Sequence, residues 1–295
     1  MISERHFTPA LWRAFFVLAA MFMASSAARA QRGYRPPPNY VQLGKLDQAE
    51  GKRILAEFRD LGIAGDYFLE FQLHVFPRRG AERILPGRLW GARNASGTIS
   101  RVVITVDGVE HRLLIQDGIE PAIWQWQAGT GGSPEKLGVA ALFRPLAQTD
   151  LTPFDLGRLS FYWPDFVYEG IARVRGRPAY QFLLYPPAEF TAAYPALRGV
   201  RLYLDTQFKA PVQSEQIGEG NRILKSMTVL EVKKIDEQWI PKSLDFRDER
   251  TRNKTRLSVT AAVLGKTFPK SIFAPAALAD DVRAPGSDRL IKIDP

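Results

Sequence analysis

The chain has 295 residues, of which 45% are hydrophobic and 11% aromatic, with 21 prolines, 23 glycines, no cysteine and a formal charge of +9. Without cysteine there can be no disulfide, thiol catalysis, thiolate metal site or the N-terminal cysteine that anchors a mature lipoprotein. The composition is that of a globular chain rich in turns, and its basic balance suits anionic head groups, acidic glycans or a merely solubilising surface; no nucleic-acid-binding motif is present.

Residues 1–30 read as an export signal. Arg5 and Arg13 make a basic start, residues 14–24 (AFFVLAAMFMA) are an uninterrupted apolar run of eleven, and Ala28-Arg29-Ala30 offers the small residues of a cleavage site. The run falls short of the roughly 20 residues of a membrane span. Cleavage is therefore expected near Ala30, with Ala28 as the alternative, releasing an unanchored protein into the bacterial cell envelope. Losing three arginines and one glutamate leaves 37 basic and 30 acidic residues, a formal charge of +7.

A proline-rich linker at 31–43, containing Pro36-Pro37-Pro38, is expected to precede a single domain at 44–279 and a polar, frayed C-terminal tail at 280–295. Within the domain, Ile54, Leu55, Phe58 and Leu61 recur at helical spacing after Asp47, which predicts a helix over 47–61 with Asp47 as N-cap. Period-two alternation then begins in DYFLEFQLHVF, where Tyr67, Leu69, Phe71, Leu73 and Val75 share one face. Phe68 and Phe76 interrupt the polar face. Further strands are predicted at 84–93, 99–107, 110–117 and 123–127, with Asp107-Gly108 as a hairpin turn and Trp124 and Trp126 pointing the same way.

A helix over 134–146, started by Pro134 and ended near Pro145, and a second helical segment at 153–161 interrupt the strands. Strand patterns return at 166–175, 178–185, 199–205, 211–217, 222–235, 238–248 and 255–263. The fold class expected is mainly β (α+β): a strongly curved antiparallel sheet, an unclosed barrel, with helices covering its concave face.

Chemistry-bearing motifs are scarce. His74 and His111 lie on the polar sides of their strands, more in keeping with a solvated face than with a zinc pair, so no metal and no cofactor are expected. G-x-S-x-G is absent, and the run Gly129–Ser133 lacks the lysine of a phosphate-binding loop. Asp150, Asp155 and Asp165 are the carboxylates a hydrolase would use, but their surroundings suit capping and turns better. No catalytic residue is assigned and no enzymatic activity is expected. What remains is apolar: Tyr67, Phe71, Leu73, Trp90, Trp124 and Trp126 are the candidates for the inner wall of the curved sheet. Such a wall is either an ordinary core, the default, or the lining of a lipid-sized cavity.

The second half carries an ordered series: DLTPFDLGRLSFYWPDFVYEG (150–170), VRGRPAYQFLLYPP (174–187), YPALRGVRLYLDTQFKAPVQSEQ (194–216), the hairpin KKIDEQWIPKSLDFRD within 221–259, and FPKSIFAPAAL (268–278). In combination these resemble the outer-membrane lipoprotein-sorting proteins, the LolA/LolB-like group, over roughly residues 150–278. The resemblance implies an unclosed β-barrel with helices across its mouth, in a monomeric periplasmic carrier. Its partners would be lipid or lipoprotein acyl chains, and an envelope membrane protein that loads or accepts them. An envelope-stress sensor or regulatory binding module of the same fold is the alternative, and hydrolysis at the aspartates ranks last.

Overall fold

A computed structural model of the chain describes residues 46–208 and 210–294. The expected signal with its cleavage site at 1–30 and the expected linker at 31–43 lie outside the described residues. Helix α1 (Gln48–Asp60) begins where the Asp47 carboxylate accepts the backbone N–H groups of Ala49 and Glu50, satisfying two of the donors that a helix start leaves open. Ile54, Leu55 and Phe58 form its buried face. A Cβ on Gly51 would lie 2.4 Å from the Cβ of Tyr168, so the absent side chain is what lets the helix lie this close to the sheet.

The first meander comprises β1 (Asp66–Phe76), β2 (Arg83–Asn94), β3 (Gly97–Val106), β4 (Val109–Gln116), β5 (Ala122–Gln127) and the two-residue β6 (Glu135–Lys136). The second comprises β7 (Phe166–Val174), β8 (Arg177–Leu184), β9 (Gly199–Asp205), β10 (Pro211–Ile217), β11 (Ile223–Ile235), β12 (Gln238–Asp248) and β13 (Lys254–Lys266). Asp107-Gly108 and Asp236-Glu237 turn their hairpins with positive φ at both central residues, the backbone twist that two-residue hairpins favour.

The first strand pairs with the last of these, β1 with β13, so that both meanders share one antiparallel sheet in the order β6-β5-β4-β3-β2-β1-β13-β12-β11-β10-β9-β8-β7. Strands β6 and β7 stand at the two edges, and the barrel is not closed. Register shifts in the β1–β13, β7–β8 and β11–β12 pairs mark bulges, which bend a strand and increase its twist. The expected architecture, a curved unclosed antiparallel sheet with helical segments on its concave face, is observed.

The main core lies on that concave face and includes Phe71, Leu73, Val102, Leu113, Phe182 and Leu202. Part is covered by α1 and part by the connection from β6 to β7, residues 137–165. This connection departs from expectation. No helix spans 134–146: Glu135 and Lys136 pair with Gln125 and Trp124, and Val139–Phe143 form a single 3-10 turn. Gly138 is extended just before this turn, and Pro145 just after it has no N–H with which to continue a helix. The segment predicted at 153–161 is helical, as α2 (Pro153–Leu156) and a 3-10 turn at Leu159–Tyr162. A short helix that the sequence pattern did not indicate, α3 (Ala188–Ala193), adds Phe190 to the core.

The C-terminal tail is not frayed. After β13 the chain makes 3-10 turns at Lys270–Phe273 and Pro275–Ala279, crosses the convex face, and adds β14 (Ile291–Lys292) to β13. Val282, Ala284 and Leu290 pack on buried Phe68, Trp90 and Val103, and Ile293 joins a second cluster with Leu69 and Ile240. These apolar residues, spaced among charges, are what holds down a stretch that reads as polar on average. Among the described residues no helix is long and apolar enough to cross a membrane.

Candidate functional site

A cavity of about 250 Å³ lies on the concave face beneath residues 154–161. Its walls come from both halves of the sheet, with Phe71, Val102 and Ile115 on one side and Met227, Leu244 and Phe246 on the other. The central connection roofs it with Phe154, Leu156 and Phe161. Room for the Phe71 ring comes from Gly87, which faces it across the strand pair: a Cβ there would lie 2.2 Å from the ring.

Polar contacts fasten this roof. Asp155, at the third position of α2, closes a capping box with Thr152 and uses its remaining capacity on the sheet. Its Oδ2 accepts from Lys225 Nζ at 2.7 Å and its Oδ1 from Gln216 Nε2 at 2.8 Å. Lys225 Nζ also donates to the Asp150 carbonyl at 2.7 Å. The ion pair is buried, with the Asp155 side chain 4% and the Lys225 side chain 10% exposed. On the other flank, the Arg59 guanidinium of α1 donates from Nε to the Phe161 carbonyl (2.7 Å) and from Nη2 to the Trp163 carbonyl (3.0 Å).

Arg158 also lines the cavity. Its guanidinium carbon sits 5.0 Å from the ring centre of Phe58 and 5.8 Å from that of Phe161, and its backbone N–H donates to Asp117 Oδ1 at 2.7 Å. Burial pushes the Asp117 carboxyl up to about 6, against the opposing pull of the Arg158 charge.

The six aromatic and aliphatic candidates are not brought together. Phe71 lines the cavity; Leu73 is fully buried in the main core on the same face. Tyr67 lies on that face at the start of β1, its ring filling the space over Gly91. Trp90, Trp124 and Trp126 are on the opposite, convex face. The cross-strand series Phe68–Trp90–Arg101–Leu114–Trp124 fixes this, because directly paired residues share a face. The apolar Phe68, on the otherwise polar side of β1, was the sequence signal of a sheet covered on both faces.

Two arginines fasten the convex strap. Arg101, 1% exposed, donates to the carbonyls of Ile272, Ala277, Leu278 and Asp280. Arg112 donates to those of Leu278, Ala279 and Asp280, pairs with Asp281, and stacks 4.6 Å from the Trp126 ring centre.

The three aspartates do not face one another across a cleft: Asp155 is in its ion pair, Asp150 accepts from Thr251 at 3.4 Å, and Asp165 is exposed directly before β7. Strands β2 and β3 separate His74 on β1 from His111 on β4. Among the described residues no group of three or more His, Asp or Glu side chains is placed to hold a metal ion. Arg158 and Lys225 escaped the sequence reading because each acquires its surroundings from segments remote in the chain.

A family model described as "Uncharacterized protein" matches residues 144–280. Among solved structures, a domain assigned to outer membrane lipoprotein sorting from Vibrio parahaemolyticus is similar at 14% identity and a TM-score of 0.67, covering 79% of this chain and 99% of its own. A DUF1329 family protein from Desulfovibrio piger is similar at 13% identity and a TM-score of 0.66, over 78% of this chain and 98% of its own. A LolA superfamily protein from Nitrosomonas europaea follows at 16% identity and a TM-score of 0.56, over 76% and 96%. No curated protein matches. The resemblance to the lipoprotein-sorting group is thus shown as a likeness of fold.

Proposed function

We propose that this protein is a non-enzymatic carrier of acyl chains, lipid or lipoprotein, working as a monomer in the periplasm. The observation that supports the reading is the cavity of about 250 Å³ left under a roof that is fastened by a few polar contacts. Ligand pockets commonly run from about 300 to 1,000 Å³, so this one suits a short chain as it stands. A longer chain requires residues 150–163 to lift, and the Lys225 and Arg59 contacts are what that movement breaks. A buried chain gains about 0.8 kcal/mol per methylene, enough to drive uptake without bond chemistry; release then needs an acceptor, in the cell an envelope membrane protein.

Titrating the purified protein with fatty acids of increasing length tests this. Each two added carbons should tighten Kd by about tenfold until the cavity is full, and deuterium exchange in 150–163 should rise with the longer chains. Protein purified without detergent should carry lipid detectable by mass spectrometry. Lipid-free protein that binds no fatty acid at any length overturns the proposal.

A further inference from the structure

Within the cavity, Arg158 differs from Arg59 and Arg256 in how its guanidinium is used. Both Nε and Nη2 of Arg158 are buried without a hydrogen-bond partner. Arg59 spends the same two nitrogens on the Phe161 and Trp163 carbonyls. Arg256 spends them on a carboxylate: its Nε reaches Asp245 Oδ1 at 2.7 Å and its Nη2 reaches Oδ2 at 3.0 Å. Those two N–H groups point the same way along one edge of the guanidinium, and together they match the two oxygens of a carboxylate or phosphate.

The Arg158 guanidinium is oriented by its neighbours. Phe58 and Phe161 lie against it, and its own main chain is tied to Asp117. Asp117 feels its charge but bonds only to its backbone N–H, whereas the other cation of the cavity, Lys225, is occupied by Asp155 and the Asp150 carbonyl. Buried N–H donors left unmet are costly, and an anion with two acceptors recovers that cost.

We infer that, when residues 150–163 lift, Arg158 receives the acidic end of the cavity's ligand, so that the cargo is an amphiphile with a carboxylate or phosphate group, its chain lying against Phe71, Val102 and Met227. This rests on the acyl-carrier reading and narrows it. Ester- and amide-linked acyl chains are uncharged where they join their carrier, and they leave the Arg158 edge unmet.

Calorimetric titration of the full chain with dodecanoate, methyl dodecanoate and dodecyl phosphate tests the inference. The acid should bind about tenfold or more tighter than its ester. Arg158→Met should abolish that preference, acid and ester then binding with equal affinity, and Arg158→Lys should keep part of it. If dodecyl phosphate binds more tightly than dodecanoate, the anion is a phosphate head group; the reverse order assigns a free fatty acid. Equal affinity for acid and ester, or a preference unchanged in Arg158→Met, overturns the inference and leaves the carrier reading standing. Binding of none of the three, nor of a fatty acid of any other length, overturns both. Should Arg158→Met not fold, by circular dichroism, the acid-to-ester ratio of the unsubstituted protein decides alone.

Discussion

At the scale of single residues, the buried carboxyl of Asp117 makes stability depend on pH in an unusual direction. Its folded pKa of about 6 lies above the ordinary 3.8 because burial disfavours the charge. Its contribution is therefore full below about pH 4 and is lost as pH rises through 6. Asp117→Asn keeps an oxygen for the Arg158 N–H and removes the charge. The variant should be more stable than the parent at pH 7.5, by about 2–3 kcal/mol, with the gap closing toward pH 4. Urea denaturation across that range measures it, and a gap that does not vary with pH contradicts the assignment. Neither this group nor Arg158 was legible in the sequence, since an aspartate at a strand end and an arginine between helical turns are commonplace. Asp47 was legible because a helix cap acts within three residues of itself.

At the scale of elements, strands were the readable part, because alternation is a local property and half-buried strands impose it. The central connection was not readable. Its course is decided by what it covers: Leu142, Leu146, Leu151 and Phe154 are buried on the concave face without any regular period. Its attachment through Asp155 and Lys225 joins positions 70 residues apart. Lys225→Met leaves the buried Asp155 charge without its counter-ion, which should cost about 3–5 kcal/mol and raise deuterium exchange across 150–163. Adding Asp155→Asn should recover part of the stability. A double variant as unstable as the two single losses combined would rule out coupling between the pair.

At the scale of the molecule, the sheet has two covered faces where one was expected, and the three tryptophans assigned to the inner wall belong to the outer. Alternation says which residues share a face but not which face turns inward; strand pairing decides that, through contacts such as Phe68 with Trp90 at 5.0 Å between ring centres. Truncation after residue 279 removes Val282, Ala284 and Leu290 from the convex cluster around Trp90, and Ile293 from the cluster of Leu69 and Ile240. The loss should amount to about 4 kcal/mol or more, with red-shifted tryptophan emission and new binding of a hydrophobic dye. Unchanged emission would mean that the strap does not shield Trp90. The seam between β1 and β13, which sets Asp66 opposite Lys266, also governs timing. Each meander can form from near neighbours, but the middle of the sheet must wait for strands separated by nearly the whole described chain. Such non-local pairing pays its loop-closure entropy before any reward and slows folding. Until synthesis passes β13 the chain has two half-sheets and no centre, and the concave hollow does not yet exist.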